Sequence, residues 1–153
     1  MDTKTNQLVL FKLDMQCFAL HLAAVERTVF VVEITPLPKA PAIVLGVINV
    51  QGQVIPVINI RERFCLPARE IELSDRLIIA RTARWLLALV VDSVVEVIER
   101  PQADITTADE ILPGLEYIEG VIKLDDGLIL IHDLDAFLSP AEEQSLEHAI
   151  VRS

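Results

Sequence analysis

Cysteine, glycine, aromatic residues and positive charge are all scarce in this sequence, and each shortage removes a class of explanation. The two cysteines, Cys17 and Cys65, have neither CxxC spacing nor the density of a disulfide-stapled secreted domain. Reduced thiols are expected, since a redox pair would need its Cβ atoms about 4 Å apart. The five glycines stand singly, which leaves no phosphate-binding loop, dinucleotide fingerprint or nucleophile elbow. His21, His132 and His148 lie far apart with no partner at ligand spacing, so no metal or other cofactor is expected. Lys and Arg number 13 against 23 Asp and Glu, a formal charge of −10, which repels nucleic acid and anionic lipid. The longest apolar run, Trp85 to Val91, is far shorter than the roughly 20 residues a membrane-crossing helix needs, so no direct membrane insertion is expected. Met1 to Gln7 is polar and lacks the apolar stretch of a secretory signal, which makes the cytoplasm the expected compartment.

What is abundant is apolar side chain, 52% of 153 residues. That is enough for the core of one domain spanning residues 1–153. Short runs rich in β-branched residues recur between turn signals: 8–13, 17–22, 29–34, 47–50, 54–58, 77–80, 85–91, 94–98, 121–124 and 128–131. This is the pattern of a mainly β fold, barrel or sandwich. The runs also repeat. Gly46–Ile60 lies over Gly120–Leu134 without a gap at an offset of 74, and Leu8–Leu10 and Phe18–Leu20 lie over Leu77–Ile79 and Leu87–Leu89 at an offset of 69. Two β units follow, one over about 7–66 and one over about 76–138, each too small for a core of its own and so packed against the other. Residues 66–72 form the expected connector, and whether a strand crosses between units stays open. Gln51-Gly52 and Asp125-Asp126-Gly127 supply the hairpin turns. Ser139-Pro140-Ala141-Glu142 is a capping box with proline at the first helical position, and it predicts a helix over about 140–151 docked through Leu146, Ala149 and Ile150. A weaker box at Thr107–Glu110 predicts one helical turn before Pro113-Gly114.

A search for chemistry finds little. His132-Asp133 lies over Ile58-Asn59 in the repeat, which favours a structural or surface role over a catalytic one. Asp125-Asp126 lacks the regularly spaced oxygens of a calcium loop and reads as a solvated tip. Trp85 at a strand start is either core or a partner anchor. Arg61, Glu62 and Arg63 read as a charged, wet turn. No enzyme is expected.

The stretch Gly46-Val47-Ile48-Asn49-Val50-Gln51-Gly52-Gln53-Val54-Ile55-Pro56-Val57-Ile58-Asn59-Ile60-Arg61-Glu62-Arg63-Phe64 resembles the signature hairpin of CheW-like domains, with Gly46, Asn49, Gly52, Pro56 and Arg61 as its motif residues. The resemblance runs from about Gln7 to Leu138 and includes Val90-Val91-Asp92-Ser93-Val94. It implies two pseudo-repeated five-stranded SH3-like barrels around a shared apolar core, with a short C-terminal helix. It also implies a non-catalytic adaptor with two partners, the regulatory domain of a CheA-type histidine kinase and the cytoplasmic tip of a chemoreceptor, working in receptor arrays at the inner membrane. The chain has no room for a kinase domain of its own. The receptor helix would lie in a groove between barrels, with Val25, Val29, Ile43, Val44 and Val47 as candidate floor; core packing is the competing reading for each. Nothing in the sequence marks the kinase side. Two departures from the family pattern stand out. Gln51 replaces the arginine of Asn-x-Arg-Gly, and Arg27 stands where Val-x-Glu-Ile has its acidic residue. With Asn49, they are expected to flank an altered receptor surface, in flagellar or pilus-type signalling.

Two other readings compete. A small apolar ligand in the seam between barrels would make the protein a sensor. A hydrolase using His132 and Asp133 lacks an oriented nucleophile.

Overall fold

Alternating or continuous apolar runs become eleven strands in the computed structural model, which describes residues 5–107, 110, 117–125 and 127–152, with side chains as far as 150. They are β1 (Thr5–Leu13), β2 (Gln16–His21), β3 (Val25–Phe30), β4 (Val44–Val50), β5 (Gln53–Ile58), β6 (Arg76–Arg81), β7 (Leu86–Val91), β8 (Ser93–Pro101), β9 (Ile105–Thr107), β10 (Ile118–Leu124) and β11 (Gly127–His132). One short helix, α1 (Ile60–Arg63), follows β5, and α2 (Pro140–Arg152) ends the chain. The helical turn expected before Pro113 falls mostly outside the described residues. The strand expected over 29–34 forms instead over Val25–Phe30, because pairing with β6 in the register Val25↔Ala80 to Phe30↔Arg76 overrides the local apolar run.

The strands form two sheets, one in the order β8-β1-β2-β11-β10-β9 and the other β3-β6-β7-β5-β4. Each sheet mixes the two sequence repeats. The first hairpin, β1–β2, lies beside β8 and β11, while the equivalent hairpin β6–β7 lies between β3 and β5. Substituting each strand by its repeat partner turns one order into the other, so the sheets are pseudo-equivalent and have exchanged hairpins. In both, the final strand of a repeat runs parallel to the exchanged one, β11 along β2 and β5 along β7. Curling brings the edges together: β8 and β9, at opposite edges of the six-stranded sheet, are joined by the 3-10 turn Gln102–Asp104.

Four apolar clusters form among the described residues, three filling the barrels and their seam and a small one joining Ile118 and Val121. Leu8, Leu10, Ala19, Ile122, Ile129 and Ile131 fill the six-stranded barrel. Leu77, Ile79, Ala88, Ile48, Ile55 and Val57, their repeat counterparts position for position, fill the five-stranded one. Between them a larger shared core takes Phe11, Phe18, Leu20, Ile58, Leu87, Leu89 and Val91 from opposed sheet faces. Burial of such side chains contributes roughly 1.5–3 kcal/mol each and is the main force holding the barrels together. Helix α2 closes this core with Leu146 and Ile150, and Ala149 on the same helix is buried as well. Its capping box forms with both arms: Ser139 Oγ accepts from Glu142 N at 3.1 Å, and Glu142 Oε1 accepts from Ser139 N at 2.9 Å.

Candidate functional site

The signature hairpin β4–β5 closes through the two-residue turn Gln51-Gly52, with φ of 52° and 84°. Both lie in the left-handed region that such a turn demands, since it matches the twist of the flanking strands. Asn49 Oδ1 accepts from Gly52 N at 2.8 Å and fixes the turn. Asn49 and Gly52 therefore have a structural use, and Gln51 projects from the tip as an exposed side chain. At the other end Gly46 sits on a bulge with φ of 154°, where a Cβ would approach Thr35 O to 2.3 Å. Pro56 is buried opposite Val47.

The candidate groove residues divide between two surfaces. Ile43 and Val44 are buried in the shared core, and Val25 packs against it. Val29 packs against the core of the five-stranded barrel, and half-buried Arg27, paired with Ile79, lies on that same inner side of β3. Val47 and Asn49 occupy the opposite face of β4, paired with Pro56 and Val54. By alternation that face is the one on which Ile58 enters the shared core. It continues beyond the core as half-buried Val47 and as Asn49 and Val54, the last 59% exposed. An apolar ledge along the barrel seam results, with a polar tip at Gln51.

Arg61 does not belong to a wet turn. It is 8% exposed, because α1 tucks it under the point where the chain passes from β7 in one barrel to β8 in the other. Its Nη2 donates to Asp14 Oδ1 at 2.8 Å and to both Asp92 oxygens at 2.8 and 2.9 Å, and its Nη1 donates to Pro67 O at 3.1 Å. Arg69 from the connector donates to Asp92 as well, and to both Asp75 oxygens at 2.7 and 3.1 Å. The Asp14 carboxylate, aided by Asp92, holds the Arg61 pKa above the ordinary arginine value against the effect of burial. Burial raises the Asp92 pKa, but hydrogen bonds from Arg61, the Asp14 amide and Arg69 outweigh it and leave the carboxyl below its usual range. Spacing could not reveal this cluster, whose members come from five separate segments. Arg63 is also engaged, donating to Glu142 and lying 5.0 Å from the Tyr117 ring centre.

His132 is likewise not a surface residue. It is 1% exposed, with its ring 4.5 Å from Phe137 and 5.1 Å from Phe64 between centroids, and neither ring nitrogen has a hydrogen-bond partner. Trp85 packs against the shared core, and Cys17 and Cys65 are both free thiols. Among the described residues there is no group of three His, Cys, Asp or Glu able to hold a metal, and no helix long and apolar enough to cross a membrane.

The fold is thus a double barrel fused through an apolar seam, with an apolar ledge at its surface. Residues 7–142 match the CheW-like domain, and the chain belongs to that family. It is 30% identical over 146 residues to the chemotaxis protein CheW of Treponema pallidum (strain Nichols), covering 92% of this chain and 86% of that one. It is 30% identical over 141 residues to the chemotaxis protein CheW of Rhizobium meliloti (strain 1021), covering 91% and 90%. The crystal structure of the scaffolding protein TtCheW from Thermoanaerobacter tengcongensis superposes with a TM-score of 0.81 at 29% identity, covering 91% of this chain and 96% of that one. The family and the fold together make the chain a chemotaxis coupling adaptor of mainly β, SH3-like architecture.

Proposed function

We propose that this adaptor joins the cytoplasmic tip of a chemoreceptor to the regulatory domain of a CheA-type histidine kinase, on the cytoplasmic side of receptor arrays and without chemistry of its own. The observation that carries this reading is the ledge at the seam. Val47, Asn49 and Val54 extend the shared-core face of β4–β5 to the surface, giving apolar floor and polar rim to a helix laid along it. Gln51 at the tip then tunes which receptor is accepted, whereas Arg27, on the inner side of β3, lies off this ledge.

The two barrels differ in charge, as an adaptor with unlike partners requires. The five-stranded barrel segments, 25–58 and 76–91, carry five basic and two acidic residues; the described residues of the six-stranded segments, within 5–21 and 93–132, carry three basic and seven acidic. Opposite fields at the two ends steer different partners to different faces. A ligand-sensing role has less support, because Phe11, Phe18, Leu89 and Phe137 fill the seam. A hydrolase role has none, because His132 lacks any group to orient it.

Calorimetric titration with the kinase regulatory domain, and separately with a receptor-tip fragment from the same organism, tests the reading. Saturable binding to both is expected, with Val54→Asp weakening the receptor arm alone. Absence of binding to either would overturn it.

A further inference from the structure

The connector between α1 and β6 is a built loop. Asp75, 2% exposed, accepts two hydrogen bonds from Arg69 and a third from Glu72 N at 2.9 Å. Asp75 N donates back to Glu72 O at 3.0 Å, closing a turn over Glu72-Leu73-Ser74-Asp75. Arg69 is also tied to Asp92 at the crossing between barrels. The loop 69–75 is thus closed by a two-pronged ion pair at its base and anchored to the framework.

At its tip Leu73 is 90% exposed, in a turn where glycine, asparagine, aspartate or serine would serve the backbone better. A single exposed leucine needs no explanation, but this one has company. Ile71 in the same loop, and Phe30 and Val32 at the end of β3, are 39%, 61% and 40% exposed. Phe30 lies opposite Arg76, the residue after the closing aspartate, whose guanidinium sits 3.9 Å from the ring centre. Phe30 and Arg76 thus connect the end of β3 to the residue that follows the loop. The pseudo-symmetry sharpens the point, because the counterparts of Phe30 and Val32 at an offset of 69 are Glu99 and Pro101. At these two positions the apolar character belongs to the five-stranded barrel.

We infer that the loop 69–75 is a preorganised recognition loop that inserts Leu73 into an apolar pocket of the kinase regulatory domain, a pocket rimmed by lysine or arginine. Fixing the loop in the free protein removes the ordering cost that a mobile leucine would incur on binding. Exposed Glu70 and Glu72 flank Leu73 and call for a basic rim. A leucine projecting from the tip of a fixed loop fits a pocket in a folded domain better than the surface of a helix, and the ledge at the seam already serves the receptor, which assigns the loop to the kinase arm.

This inference rests on the adaptor reading, and one experiment separates the two. Full-length wild type, Leu73→Ser and the pair Glu70→Lys/Glu72→Lys are titrated against the kinase regulatory domain and against the receptor-tip fragment, at low and high salt. Leu73→Ser should weaken kinase binding at least tenfold and leave the receptor arm unchanged. The charge-reversed pair should also weaken the kinase arm, with a loss that shrinks as salt rises. Wild-type affinity of Leu73→Ser for both partners would sink the loop's role while the adaptor reading stands. Loss on the receptor arm alone would show the partner to be wrong. Wild type binding neither partner would overturn the adaptor reading and the loop's assignment with it.

Discussion

His132 occupies in the six-stranded barrel the place that Ile58 occupies in the five-stranded one. Both end the last strand of a repeat and both turn inward, but the imidazole brings two nitrogens into a pocket of phenylalanine rings with no partner for either. An orphaned buried polar group costs about 1–3 kcal/mol. His132→Ile, which copies the repeat counterpart, is therefore expected to stabilise the protein by roughly that amount, as a higher urea midpoint at pH 7.5 would record.

Acid response follows from the same residue. Burial pushes the His132 pKa down to about 3, against about 6.5 in an unfolded chain. Between those values the unfolded chain holds a proton that the folded one does not. Its contribution is intact above about pH 6.5 and is lost on acidification toward pH 3, at up to about 1.4 kcal/mol per pH unit. Denaturation curves between pH 7 and pH 4 should show this slope in the wild type and a shallower one in His132→Ile. Parallel slopes would mean that the imidazole finds a partner in solution.

Arg61 offers the opposite case, a buried charge fully paired. Arg61→Ala leaves Asp92 and Asp14 facing each other without their shared cation. A broken buried pair costs roughly 3–5 kcal/mol; with Asp14 43% and Asp92 23% exposed, about 2–4 is expected. Since the folded state holds the Asp92 pKa low, its contribution is full above the ordinary carboxylate range and fades as pH falls through that lowered value. Urea denaturation of Arg61→Ala and wild type at pH 7 and again below about pH 3 should show the deficit shrinking in acid.

Gly46 and Gly120 are repeat counterparts on equivalent bulges, but they are not equally constrained. A Cβ at Gly46 meets backbone, Thr35 O at 2.3 Å, with φ already at 154°, whereas at Gly120 the first obstacle is the Ile105 side chain at 2.8 Å. Gly46→Ala should cost more than Gly120→Ala, about 3 kcal/mol against about 1, because at Gly120 the Ile105 methyl can yield and the nearest carbonyl, Thr106 O, stands at 3.0 Å, whereas Thr35 O at 2.3 Å cannot move aside. Equal losses in thermal denaturation would show that the two bulges relax alike.

The β-rich architecture, the duplicated unit and the capped final helix were legible because hydrophobic period and turn chemistry are local signals. One shared core was expected from the sequence; the separate core inside each barrel was not foreseen, because each is completed by strands of both repeats. Which hairpin completes which sheet was not legible, since a repeat records equivalence and is silent about pairing. Position on a face was lost for the same reason: the bulge at Glu26 sends Val25 to the seam but Val29 into a barrel, and a bulge is invisible in the alternation. Arg61 was misread because its neighbours Glu62 and Arg63 look solvated, and its partners Asp14, Asp92, Arg69 and Asp75 assemble only in three dimensions.

Exchange of hairpins also fixes how the chain can be divided. Fragments 1–68 and 69–153 each contain a complete repeat, yet each lacks the hairpin that fills its sheet. Neither should unfold cooperatively alone, and a mixture of the two should regain the β-sheet circular dichroism and a sigmoidal melt. A cooperative transition in either isolated fragment would show that a repeat can close on itself.

The three-residue link between β2 and β3 is too short to let a repeat fold back on its own hairpin in the observed geometry. One repeat would then reach this fold only as a domain-swapped dimer, and such a dimer must present the same face twice. Joining the two copies in one polypeptide releases that symmetry. Phe30 can then differ from Glu99 and a basic barrel from an acidic one, so a protein whose work is to stand between unlike neighbours has two unlike hands.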